Sequence, residues 1–547
     1  MRLLIFLITF LSFFGAIESH AQRKIKLEPG SSKATGLRKN GVNYMIVTGN
    51  VMFTHKGTIF LCDSAVLVKK TNDLEAYGHV QILDGDSITV TAKTLHYNGN
   101  TKIAKLRQNV VLTKLDQMQL FTEFLDYDRS SNIATYFNNG KVVDSTNVLT
   151  SKKGYFNTNS SFASFKTNVV GTNKEKTLKS DTLVYNTRTG IVYFVAPTEI
   201  TDIDGNVFTY TEGIYETKLK SSDLFKGVAE STSYFLKGSK MNLDDIRGVY
   251  TVTGNVYMLS KDENIIITGQ KAIMNKLTNT TKIFDHALLK MVDAKDTLYM
   301  TADTLVSIDG DVSSNKRLLA YSNVKIFKND IRGVSDSIAY FQADSIMTMY
   351  GNPVLWSGEN QMSGDTIDIL IKNNGLEKMV LYPKAFVASA DSAEYYNQIT
   401  GREMVAWFKN EALDKVNIYG NGESIFFMRD DKTKELIGMN TIRCSDITLR
   451  FTDKILTDAS FLVKPEGKFI PPQELKTEDI KLNNFKWRGS EMPSKSQMLE
   501  NELTEEVMIE YQETIKEIPI NLEKIKLQQL KPKKKRKPIN SEEIIRN

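Results

Sequence analysis

Two residue types recur in ways that could do chemistry. Histidine is scarce, at His20, His55, His79, His96 and His286, and these positions bear no fixed relation to one another. Aspartate recurs beside Ser or Thr at Asp63, Asp181, Asp303, Asp336, Asp365 and Asp446. Such a ladder of carboxylates could bind calcium or act as an acid/base pair on a polysaccharide. Either use requires carboxylates that meet in one cleft, whereas this spacing sets them a repeat or more apart. The simpler expectation is that each Asp sits at strand entry, where it caps a turn and marks the end of a layer. No HExxH, GxSxG or CxxC pattern and no phosphate-cradling glycine loop accompanies them, so no enzyme is expected, no cofactor and no metal.

The elements that carry these residues begin after an export signal. Met1-Arg2 is basic, Leu3 to Ala16 is apolar but short for a bilayer span, and Ser19-His20-Ala21 offers small residues where a signal peptidase reads. Residues 1–21 are therefore expected to be removed, leaving Gln22 first, with no cysteine there to carry a lipid anchor, and a soluble periplasmic product. Residues 22–42 form a leader. Cys62 and Cys444 are the only cysteines, which excludes a disulfide-stapled fold and leaves their pairing open. Charge is nearly balanced, 70 Lys and Arg against 65 Asp and Glu, with the signs interspersed, so the body carries no nucleic-acid footprint.

Self-similarity is the most informative property. A Gly-Asn-Val signature recurs at Gly49-Asn50-Val51, Gly78-His79-Val80, Gln108-Asn109-Val110, Gly140-Lys141-Val142, Gly254-Asn255-Val256, Ser322-Asn323-Val324 and Gly351-Asn352-Pro353-Val354, with weaker copies between. Neighbouring copies lie about 30 residues apart, a solenoid period. It reads as a turn followed by a strand. A second signature, Ser-Asp-Thr-Leu-x-Tyr in its fullest form at Ser180 to Tyr185, marks another strand in each period. Scarce Pro and evenly spread Thr, Val, Ile, Tyr and Phe agree with many short strands. The expectation is an all-β, elongated twisted β-jellyroll or solenoid over residues 43–463.

Alternation along each strand then assigns one face. Val51, Phe53, Leu61, Ala65, Leu67, Val80, Ile82, Ile88, Val90, Val110, Leu112, Val324, Ile326, Ile338 and Tyr340 are expected to line a continuous apolar seam. The aromatics Tyr97, Tyr185, Phe341 and Trp356 follow the same strands. Such residues either pack on one another as a plain core or leave the seam partly unfilled for a ligand.

The two alternating signatures, repeated after a signal peptide, resemble the OstA-like family, whose best-known members are the periplasmic lipopolysaccharide-transport protein LptA and the N-terminal domain of LptD. The resemblance is strongest over Asn43 to Lys114 and Ala320 to Leu381. It implies a jellyroll, V-shaped in section, that holds acyl chains of lipopolysaccharide and joins end to end, with itself or with inner- and outer-membrane transport components. The array is longer than a typical single bridge of that family, and too little chain follows it for an outer-membrane barrel.

Residues 464–547 change character. Leu499, Leu503, Val507, Tyr511 and Ile515 recur every four residues, as in an amphipathic helix, and Lys531 to Pro538 is polybasic. The segment reads as a helical or disordered tail, its cations suited to lipid phosphates or an acidic partner at the envelope, and the exported protein is expected in the periplasm, in association with the outer membrane as one alternative. Two rival readings stay open: a β-solenoid surface or adhesion protein whose interior is fully packed, and a polysaccharide-active β-helix enzyme.

Overall fold

The computed structural model describes residues 24–500 apart from the short segments 86–87, 115–117, 232–233, 262–263, 293–295, 310–315, 373–374, 392–394, 410–411, 431 and 453–454. The signal segment, the stretch from Leu503 to Ile515 and the polybasic run lie outside the described residues.

The strands form one antiparallel sheet that runs from Lys26 to Ile470. Through the first layers it is a plain meander: Val42–His55 pairs with Thr58–Val68, that with Asp73–Asp84, then Ile88–Asn98, Ile103–Lys114 and Met118–Asp128. A flat sheet of this length would expose its apolar face, and here the long strands solve the problem by bending once near the middle, while in other layers the same corner separates two short strands, as at Ile191–Phe194 and Thr198–Asp202.

The bend is where the Gly-Asn-Val signature falls. Gly49 and Asn50 sit at φ 77° and 49°, and Gly254 and Asn255 repeat the pair at 75° and 50°. Glycine and asparagine tolerate this left-handed region better than other residues. Across Thr48 to Val51 the register slips against Ser64 and Cys62, so that two residues oppose one. This is a β-bulge, which turns the strand and adds twist. The signature is thus a mid-strand corner, not the start of a strand; the true hairpins lie elsewhere, for example at Lys56-Gly57 and at the left-handed Asn72, Lys102 and Asn132.

The aspartates of the second signature occupy the facing position at each corner. Asp446 accepts from the freed Gly420 backbone N–H at 3.0 Å, Asp303 from the Asn323 amide at 2.9 Å, and Asp63 lies 2.8 Å from the His79 ring nitrogen. Asp63, Asp303 and Asp446 stand mid-strand, opposite the bulge, and not at strand entry as the sequence suggests, whereas Asp365 does stand at the entry of Thr366–Lys372. A bulge strands donors that the ladder no longer uses, and a short acceptor on the next strand satisfies them.

Bending at one line folds the sheet into two legs that meet at an apex. Leg I carries the hairpins near residues 56 and 85, leg II those near 70, 100 and 130. At the apex the legs close tightly because glycines leave room. A Cβ on Gly238 would lie 2.2 Å from Val252, one on Gly269 2.7 Å from Ile283, and one on Gly401 2.3 Å from Ile418.

Beyond Glu466–Ile470 the chain turns back as a strap on the outside of leg I. Buried Gln398 donates to the Ile480 carbonyl and accepts from Leu482 N–H, both at 2.8 Å. Gln361 does the same two layers earlier, donating to Lys486 O at 2.8 Å and accepting from Arg488 N–H at 2.6 Å. Each amide takes the place of a neighbouring strand residue. Phe427, Met439 and Ile470 make a small outer core with Ile480 and Leu482. The strap ends in a helix, Lys495–Leu499, started by a Ser494/Gln497 capping box and anchored by buried Met498. Residues 471–499 are therefore docked, and two glutamines with no distinctive sequence context explain why the tail's composition hides it.

Candidate lipid seam

Inward side chains of both legs join in one apolar core that runs the length of the array. Val51, Phe53, Ala65, Leu67, Val80, Ile82, Ile88, Val90, Val110, Leu112, Val324, Ile326 and Ile338 all lie in it, each no more than 9% exposed. Tyr340 takes the inward register position between Leu318 and Met347, half-buried near the mouth. Leu61 does not join them. It pairs with Met52 and Gln81 on the outer face, while Phe60 and Cys62 point in. Leu61 is in phase with Ala65 and Leu67 only for an unbroken strand; the corner at Asp63 inserts one residue and flips the parity.

In the first layers the mouth of the V is shut. His55 Nδ1 lies 2.7 Å from the Tyr97 hydroxyl, and the Tyr97 ring packs 4.6 Å from Phe60. Asp84, on the rim of leg I, receives Thr58 at 2.8 Å, Tyr127 at 3.0 Å and Arg129 at 2.9 and 3.3 Å, the last two from the rim of leg II. Burial raises the pKa of both Tyr97 and Tyr127, so these hydroxyls stay neutral donors. The void between Leu112, Leu120, Tyr136 and Phe165 measures only about 10 Å³, room for about one water. Among the described residues of these layers the seam is filled, not left open as the alternation suggests: rim-to-rim bonds and aromatic packing draw the legs together.

The middle layers differ. There the apex stays sealed, with Val256 and Ala287 wholly buried, but the inward residues nearer the mouth are only half-buried. Leu178, Val192, Phe208, Tyr215, Leu243 and Met258 form such a row, packed against the core on one side and reached by solvent on the other. Lys114 and Arg188 approach where the row begins, and burial together with that second cation lowers the Lys114 pKa. Farther on, Lys176 meets Asp245 at 3.1 Å, a single contact with the lysine 39% exposed. Asp245 also accepts from Tyr250 at 2.7 Å. Tyr210 is 1% exposed, and its hydroxyl has no partner among the described residues; desolvation pushes its pKa far up.

Of the polar mouth residues, the sequence marks His55 only as one of the scattered histidines and does not mark Thr58, Asp84 or Arg129. The signal was available for one of them: Asp84 continues the inward parity of Val80 and Ile82, where a carboxylate has no reason to stand unless something meets it. Cys62 and Cys444 are both free thiols. Among the described residues no group of three or more His, Cys, Asp or Glu side chains converges, since the recurrent aspartates are spread along the corner line.

A single sheet folded along one line of corners over an apolar seam defines an antiparallel β-jellyroll of the open, repeating kind. Residues 23–181 match the family described as OstA-like protein, and residues 235–374 match the LptA/(LptD N-terminal domain) LPS transport protein. The chain belongs to the OstA-like lipopolysaccharide-transport family. Among solved structures it is similar to LptH, the LptA-homologous periplasmic component of the lipopolysaccharide transport device of Pseudomonas aeruginosa. That likeness has 14% identity and a TM-score of 0.20, and covers 26% of this chain and 95% of the other. No curated protein matches the chain.

Proposed function

We propose that the protein carries a lipid with several acyl chains, lipopolysaccharide, through the periplasm towards the outer membrane, with the chains held between the two legs and the headgroup outside the mouth. The half-buried row from Leu178 to Met258 carries this reading. Each methylene moved from water into such a seam gains roughly 0.8 kcal/mol, and similar layers in series offer similar binding free energy, so a lipid can advance without a deep trap. The ends fit a bridge. Lys33–Lys39 is an edge strand exposed at all seven residues, and at the other end Phe426 and Phe469 leave aromatic rings on the open inner face. Unprotected edges of this kind accept another strand, from transport components or a second copy.

The filled interior of the first layers favours a second reading, a surface or adhesion fibre that binds no lipid. Mass spectrometry of an organic extract of the protein purified from an envelope that makes lipopolysaccharide separates the two. Transport predicts a co-purifying multi-acyl lipid, lost when Met258 and Leu243 are both changed to Asp; an extract without lipid supports the fibre.

A further inference from the structure

We propose that Asp84 and Arg129, with Thr58 and Tyr127, form a latch that holds the mouth of the first layers shut and opens when lipid passes. The inference rests on the reading that lipid travels between the legs.

Its geometry is unlike an ordinary surface ion pair. Both charged side chains are mostly buried, at 16% and 17% exposure. Arg129 approaches the carboxylate with two nitrogens, and both Asp84 oxygens are fully engaged, one by Thr58 and the other by Tyr127. Arg129 also lies near Tyr97, whose hydroxyl is within 2.7 Å of His55 Nδ1. These partners lie 42 to 45 residues apart, so the bonds join different layers across the mouth and add nothing to strand pairing.

A mouth closed only for stability would be served as well by apolar side chains of the same size. Polar closure differs in what opening costs. When the rims part, Asp84, Arg129 and the hydroxyls exchange one another for water or for the phosphates and hydroxyls of a lipid headgroup, whereas an apolar closure would expose bare surface. The position agrees: past the last layers so bridged, the cation Arg188 approaches Lys114, and the half-exposed row begins. Asp84 and Arg129 thus mark the border between shut and accessible layers.

The test places a benzophenone amino acid at Phe53, inside the shut layers, or at Phe208, in the accessible ones, and irradiates the full chain with purified lipopolysaccharide. The parent chain is expected to give adducts at Phe208 and few at Phe53. Asp84→Asn is expected to raise adducts at Phe53 roughly tenfold while leaving those at Phe208 unchanged. The charge-exchanged pair Asp84→Arg with Arg129→Asp is expected to return Phe53 towards the parent level. If Asp84→Asn does not fold, Thr58→Val, which removes one donor, carries the same expectation at roughly threefold. Unchanged adducts at Phe53 in the folded variants, with those at Phe208 intact, overturn the latch. An absence of adducts at both positions in every variant overturns the lipid reading on which it rests.

Discussion

The first layers and the middle layers are built from the same bent strands and the same corner, yet one interior is filled and the other is accessible from its mouth. Near the apex they are alike: Leu106 and Val110 in the first layers are as deeply buried as Val252 and Val256 in the middle. The difference lies entirely at the rims. Phe53, Phe60, Leu74 and Tyr97 are at most 1% exposed near the first mouth, whereas Phe208, Tyr215 and Met258 stand half-buried near the middle one. The repeat fixes the apex, and a few side chains outside the repeat decide whether the legs touch. Accessibility can therefore vary along an array whose strand pattern does not.

The largest effect expected from this comparison is on stability. Phe53→Ala leaves a cavity in filled layers and costs about 3–5 kcal/mol, while Phe208→Ala, at a half-solvated position, costs about half of that. In a linear array the loss stays near its origin, so amide hydrogen exchange should quicken in the strands around the substituted residue and not at the far end. Equal losses at the two sites would erase the distinction between the regions.

The strap supplies a third kind of layer, braced from outside. Gln398→Leu removes both bonds to strap peptide groups and leaves those groups buried without partners, at about 1–3 kcal/mol each. Trypsin is then expected to cut at Lys476 and Lys481 well before the sheet is attacked, with the parent strap protected. Early cutting in the parent chain would contradict the docking.

Tyr210→Phe probes the middle core more gently. Removing a hydroxyl that has no partner among the described residues is expected to be neutral or to stabilise by about 1 kcal/mol, read as slower exchange in Val207–Tyr210. Slower exchange is the sign that matters, since a loss would mean that the hydroxyl is bonded. The smallest effect concerns the thiols. Burial pushes the Cys62 pKa up to about 11, and Cys444 is also raised but is less buried. Alkylation needs the thiolate, so at pH 8 Cys62 holds roughly one part in a thousand in reactive form, and Cys444 is expected to be labelled first. Raising the pH towards 11 should narrow the gap. Faster labelling of Cys62 would mean that the shut layers open more often than the last layers, where Cys444 lies.

Much of the fold was legible in the sequence because it is periodic. Val80 and Ile82, or Val324 and Ile326, declare their face by alternation alone, and the recurrence of Gly-Asn fixes where each period begins. What alternation cannot show is a parity flip inside a strand, which is why Leu61 reads as inward and Gly-Asn-Val as a turn. The same corner explains why Asp63 and Asp446 look like strand-entry caps: an aspartate opposite a bulge has the same neighbours in sequence as one beside a hairpin. The latch was illegible because Asp84, although paired with Thr58 across adjacent strands, meets Tyr127 and Arg129 only after two legs fold over one another. The strap was illegible for the same reason, its anchors Gln361 and Gln398 lying far from residues 480–488.

The central claim is that acyl chains enter between the legs in the middle layers, and distance between the rims tests it directly. Spin labels on exposed Asp204 and Arg247 report the middle mouth, and labels on Lys56 and Asn100 report the first one. On titration with lipopolysaccharide the middle pair is expected to widen or sharpen to a single distance at concentrations where the first pair has not moved. Binding of the lipid with no change at the middle pair would contradict the account, because the chains would then lie somewhere other than between the legs.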